Sequence, residues 1–205
     1  MTKSPALGMS LGHIAALVAV TFIWGVNFAV VKAGLLQLPP IAFVALRFAL
    51  VSVLLLPWLR WPPPRPRELV ILSIVLGVVH FGLMFSGLRY LDVSTAAIAI
   101  QLQVPFAALL AAVFLDDKLG WRRLTGMAIA FAGVVLIAGE PRFNGNLLPL
   151  ILVVGAACVW ASANILIKRL GSAVDVFALN GWIAIMAAPQ LMVLSLVTEH
   201  GQFAA

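Results

Sequence analysis

The chain has 205 residues, of which 63% are hydrophobic and only 10% charged, with a net charge of +6. Soluble domains carry about 25% charged residues, and helices that are apolar all round need lipid or a very large interior. The composition therefore excludes a small soluble domain. It also excludes nucleic acid as the reason for the positive charge, which instead marks the loops at one membrane face.

Charged residues and prolines cut the sequence into seven apolar runs, at 12–32, 40–60, 69–88, 93–115, 122–139, 147–167 and 176–198. A membrane-crossing helix needs about 20 apolar residues, and helix is the state that satisfies its own backbone in lipid. The first run has no charge between Lys3 and Lys32. That is too long for a signal-peptide core, so it reads as an uncleaved span. Leu38, Pro39 and Pro40 separate the first two runs, and the proline-rich stretch from Trp61 to Arg67 separates the next two. Pro141 ends the fifth run, because proline disfavours helix at the residue before it. The single cysteine, Cys158, lies within the sixth run and leaves no internal disulfide to form.

Lysine and arginine give a direction. With the N-terminus inside, nine of them fall on the inner segments: Lys3, Arg60, Arg65, Arg67, Lys118, Arg122, Arg123, Lys168 and Arg169. Three fall outside, namely Lys32, Arg89 and Arg142, while Arg47 lies within a run. This bias predicts a cytoplasmic N-terminus.

The sequence also repeats itself. Phe22–Lys32 carries Trp24, Asn27 and Lys32, and Cys158–Lys168 carries Trp160, Asn164 and Lys168, with the two tryptophans 136 positions apart. The first copy ends an outward-going span and the second an inward-going one, so the repeats are inverted, as in many secondary transporters. The predicted fold is an all-α integral membrane bundle. Residues 1–143 supply a five-span first repeat, and residues 144–205 supply two spans of a second, three short of a matching five.

Further motifs lie between these copies. They are Trp24–Phe28, Pro40–Phe48, Ala96–Pro105, Phe114–Leu119 and the glycine-flanked Gly126–Gly139. Together they resemble the EamA family of the drug/metabolite transporter superfamily, over nearly the whole chain. Gln101, Gln103 and the stretch from Asn180 to Pro189 look most like its O-acetylserine/cysteine exporter branch. The resemblance implies ten helices in two inverted five-helix repeats, an inner-membrane location and outward movement of small metabolites. One departure is Asp116, which stands where similar proteins carry glycine before an acidic residue.

The polar residues inside the runs are the candidate substrate-binding groups. Arg47 sits seven residues into the second run, roughly 10 Å deep. An intramembrane charge is costly, so Arg47 either faces a cavity or snorkels to the headgroups. His80 lies mid-span in the third run, as a proton carrier or as a neutral histidine bonded between helices. Gln101 and Gln103 lie some 200° apart on an ideal helix, so one is expected in the cavity and the other between helices. Pro105 removes the donor for the Gln101 carbonyl and can bend the helix there. Trp24 and Asn27 share a face of the first run, and Trp160 and Asn164 mirror them; pocket lining and plain packing are both open for these four. The small-residue pairs Ala107/Ala111, Ala108/Ala112 and Gly126/Ala130 are expected to allow close helix approach.

These features predict a transporter that exports small, amino-acid-like metabolites by alternating access. Its partners would be that small-molecule substrate and the lipid bilayer, with no nucleic acid. The alternatives are another substrate class in the same superfamily, an inactive fragment of a longer protein, or a membrane enzyme. The sequence carries no HExxH, no GxSxG, no phosphate loop and no paired carboxylates at a membrane face, so neither enzyme chemistry nor a cofactor or metal is expected.

Overall fold

A computed structural model describes residues 10–59, 61–140, 146–170 and 175–199. Among these, regular structure is helical throughout. Seven helices are long and apolar enough to cross a membrane: Leu11–Leu35, Pro40–Trp58, Pro66–Tyr90, Val93–Phe114, Trp121–Ala138, Leu148–Leu170 and Val176–Thr198. They coincide with the seven expected runs to within three residues at every end. Lys3, Arg60 and Arg142, counted above for orientation, lie outside the described residues.

Local chemistry sets the boundaries. The Ser10 hydroxyl accepts the His13 amide at the start of the first span. Asp175 accepts the Phe177 and Ala178 amides at the start of the seventh. Pro40 and Pro66 occupy first-turn positions, where a missing N–H costs nothing. At Asp116, φ is +54°, the left-handed region that glycine enters freely and aspartate tolerates.

Two spans are irregular inside. The third changes to π-helical hydrogen bonding over Ser73–His80 before the α-helix resumes at Phe81–Tyr90. The fourth tightens into a 3₁₀ turn at Ile100–Leu102, between helices Val93–Ala99 and Gln103–Phe114. The turn falls where Pro105 withholds the donor that the Gln101 carbonyl would otherwise use.

The third, sixth and seventh spans bury the most and form the heart of the bundle, while the first and fifth lie at its edge. Consecutive spans run in opposite directions, and contacts at both ends fix this. At the Leu35 end, Lys32 Nζ donates to the carbonyls of Leu88 and Leu91. At the same end, Glu199 accepts the amides of Ile41 and Ala42. At the Leu170 end, Trp58 stacks on Phe177 at 5.5 Å, and Arg169 Nη2 donates to the Phe114 carbonyl at 3.4 Å.

Close helix approach occurs at glycines other than the one expected. A Cβ on Gly87 would come within 2.7 Å of the Pro149 carbonyl oxygen, and one on Gly77 would overlap the Ala187 methyl. Gly126, in the expected Gly126/Ala130 pair, faces open space. The fifth span meets the fourth through larger side chains, with Phe131 edge-on to Phe106 at 5.3 Å, so the Gly126 face is not the one in contact.

Candidate functional site

A cavity of about 410 Å³ opens between the first span and the third and fourth spans. Seven of the eight sequence-predicted residues line it: Trp24, Asn27, Arg47, His80, Gln101, Gln103 and Trp160. They come from five different spans, so the cavity is a product of packing. Asn164 does not join them; it is exposed on the sixth span, one turn beyond Trp160. The mirrored motif therefore contributes its tryptophan but not its asparagine.

His80 is buried, with its ring 4.9 Å from Trp160 and 4.7 Å from Phe81. Its Nδ1 lies 2.9 Å from the Ala156 carbonyl oxygen. A carbonyl only accepts, so Nδ1 carries the hydrogen and Nε2 is the acceptor of the neutral ring. The bond joins the third span to the sixth, and the residue is at once an interhelical tie and part of the cavity wall.

Arg47 is half-buried, its guanidinium carbon 5.8 Å from the ring centroids of both Phe81 and Phe85. Among the described residues no hydrogen bond or carboxylate engages it. Cation–π contact offsets part of the cost of holding the charge at this depth. The five donors of the guanidinium remain available to an anion in the cavity.

The glutamines depart from expectation. Both line the cavity, and Gln103 Nε2 donates to Gln101 Oε1 at 3.4 Å. The ideal-helix angle does not apply because the 3₁₀ turn re-aims the side chains across the Gln101 position. Phe81, Phe85 and Met84 also line the cavity and were missed, since an aromatic or methionine within an apolar run carries no signal of which way it faces.

A second, smaller cavity of about 170 Å³ lies between the second and seventh spans. Arg47, Phe81 and Trp160 line it as well, together with Asn180 and Ile183. Asn180 Nδ2 donates to the Val176 carbonyl, leaving its side-chain oxygen as an acceptor. Among the described residues no group of histidine, cysteine, aspartate or glutamate could hold a metal ion.

The family model for the EamA-like transporter family matches residues 10–139. The chain belongs to that family. The matched segment contains Trp24, Asn27, Arg47, His80, Gln101 and Gln103, so most of the cavity wall lies in it.

Among its relatives is a probable amino-acid metabolite efflux pump of Escherichia coli K12, 29% identical over 195 residues, covering 92% of this chain and 64% of the relative. The transporter YoaV of Bacillus subtilis 168 is 24% identical over 193 residues, covering 89% and 66%. The inner membrane transporter YedA of Escherichia coli K12 is 26% identical over 186 residues, covering 88% and 60%. The chain thus spans just under two thirds of the length of these relatives.

Proposed function

We propose that the protein exports small, amino-acid-like metabolites across the inner membrane, by alternating access between inverted repeats at residues 1–143 and from residue 144 onward. The observation that carries this reading is the larger cavity. One cation that has no ion-pair partner among the described residues, two glutamine amides, an asparagine and a histidine converge there on an apolar, aromatic wall. That set suits a zwitterion or amide with one carboxylate: the guanidinium takes the carboxylate, and the amides take the polar remainder. Among the lining residues there is no carboxylate to recruit a cationic drug. The same lack of paired acids and of a nucleophile with a base argues for transport and against catalysis.

The orientation rests on charge. Arg65, Arg67, Lys118, Arg122, Arg123, Lys168 and Arg169 cluster at the Leu170 end of the bundle, against Lys32 and Arg89 at the Leu35 end. The basic end belongs in the cytoplasm, with the N-terminus beside it. The relative named as an efflux pump supports the outward direction.

The test is a cell-based efflux assay. Cells expressing the protein should release amino-acid metabolites faster than vector controls and tolerate higher external levels of them. Export of organic cations with no effect on amino-acid metabolites would move the protein to another substrate class. Thiol labelling at Arg65→Cys from the cytoplasmic side, and at Leu36→Cys from the outside, should report the orientation; the reverse pattern would overturn it.

A further inference from the structure

The two cavities share three residues, and all three sit in the middle third of their spans. Arg47 is seven residues from Pro40 and eleven from Trp58 in the second span. Phe81 is fifteen residues from Pro66 and nine from Tyr90 in the third. Trp160 is twelve residues from Leu148 and ten from Leu170 in the sixth. At about 1.5 Å per residue, each is close to mid-membrane.

The remaining lining residues differ in reach: the larger cavity runs from mid-membrane, where Thr21, Trp24 and Gln103 line it, to one end, and the smaller one runs to the other. The larger cavity continues along Met84, Phe85, Leu88, Ala97 and Val31 toward the Leu35 end. The smaller one continues along Val51, Leu76, Ile183 and Asn180 toward the Leu170 end. Asn180, four residues into the seventh span, is exposed and lines the smaller cavity nearest that end.

We infer that Arg47, Phe81 and Trp160 form the partition of a single path, with the two cavities as chambers in series on either side of it. This rests on the transport reading above and adds where the path is closed. The physical basis is the packing of the three groups. His80 bonds to Ala156, and its ring lies against both Phe81 and Trp160, so one side chain fixes the two aromatic groups where the third and sixth spans meet. The Arg47 guanidinium rests on Phe81 from the second span. An anion crossing the partition would keep one cation within reach from the first chamber to the second, because Arg47 lines both. The partition is thus also a charge filter, favouring a substrate with a carboxylate over a cation of the same size.

Single cysteines test this without any knowledge of the substrate. In a Cys158→Ser background, Ala97→Cys places a thiol in the larger chamber and Asn180→Cys one in the smaller. A charged, membrane-impermeant thiosulfonate is then applied to right-side-out and to inside-out vesicles. Ala97→Cys should react at least tenfold faster from one face, and Asn180→Cys at least tenfold faster from the opposite face. Adding Phe81→Ala or, separately, Trp160→Ala should raise the slow-face rate at Ala97→Cys at least tenfold. Trp160→Phe, which keeps an aromatic ring, should hold it near the parent value. Two independent truncations guard against a folding failure in either one. Equal rates from both faces in the parent background would overturn the partition. So would preference for the same face at both positions, or slow-face rates unmoved by both alanine substitutions. The readout needs no export, so its failure leaves the efflux assay standing, and a negative efflux assay leaves the partition standing.

Discussion

His80 Nδ1 and the carbonyl oxygen of Ala156, 76 residues apart in sequence, lie 2.9 Å from each other and tie the third span to the sixth beside the larger cavity. The donor must be the Nδ1–H tautomer, since the carbonyl offers no hydrogen. Nitrogen-15 NMR of the histidine side chain should therefore show a protonated Nδ1 and an unprotonated Nε2 at neutral pH. His80→Ala removes the bond and leaves a void beside Phe81 and Trp160. It should cost about 2–4 kcal/mol, measured as a fall in the thermal unfolding midpoint in detergent. A protonated Nε2 with a bare Nδ1 would contradict the geometry.

Lys32 and Glu199 hold helix ends of opposite polarity at the same face of the bundle. Lys32 Nζ donates to the carbonyls of Leu88, Arg89 and Leu91 at 2.7–2.8 Å, where the third span ends. Glu199 accepts the Ile41 and Ala42 amides at 2.8 and 2.9 Å, where the second span begins, and also the Ser195 hydroxyl at 2.7 Å. A cation at a carboxyl end and a carboxylate at an amino end both match the helix dipole. Lys32→Met and Glu199→Ala should each destabilise the protein by about 1–3 kcal/mol, with Lys32→Arg losing less. Unfolding midpoints unchanged in both variants would show that these bonds do not hold the ends.

Two glycines should respond in opposite ways to the same substitution. At Gly87 an added methyl meets the Pro149 carbonyl oxygen and a Val153 methyl, each at 2.7 Å, so the third and sixth spans must part. Gly87→Ala should cost about 1–3 kcal/mol. At Gly126 nothing lies within 4 Å, so Gly126→Ala should be neutral or stabilising by up to about 1 kcal/mol, the helix-propensity gain. Paired thermal unfolding of the two variants checks the contrast.

Arg47 separates recognition of a carboxylate from a purely structural charge. Arg47→Lys keeps the charge but loses the planar two-pronged donor, and Arg47→Gln keeps polarity without charge. Both should express at parental level and export more slowly, by about tenfold for lysine and more for glutamine, as the loss of one charge-assisted contact implies. The loss should shrink for an analogue whose carboxylate is blocked. Parental export by the glutamine variant, at equal protein level, would remove Arg47 from the substrate site.

The number of spans, their ends and the depth of Arg47 and His80 were legible in the sequence. Lipid makes each crossing helix satisfy its own backbone and carry its own apolar length, so this information is local. The break in the fourth span was legible too, because Pro105 removes a donor at a known position. Which polar groups meet was decided by the tertiary structure alone. The 3₁₀ turn brings Gln101 and Gln103 into one cavity, where an ideal helix would part them. The rotation of the sixth span admits Trp160 and leaves Asn164 outside, although the repeat gave both the same standing. The bond of His80 to Ala156, and that of Glu199 to Ile41 across 158 residues, depend on how whole helices lie against one another, and no local period encodes that.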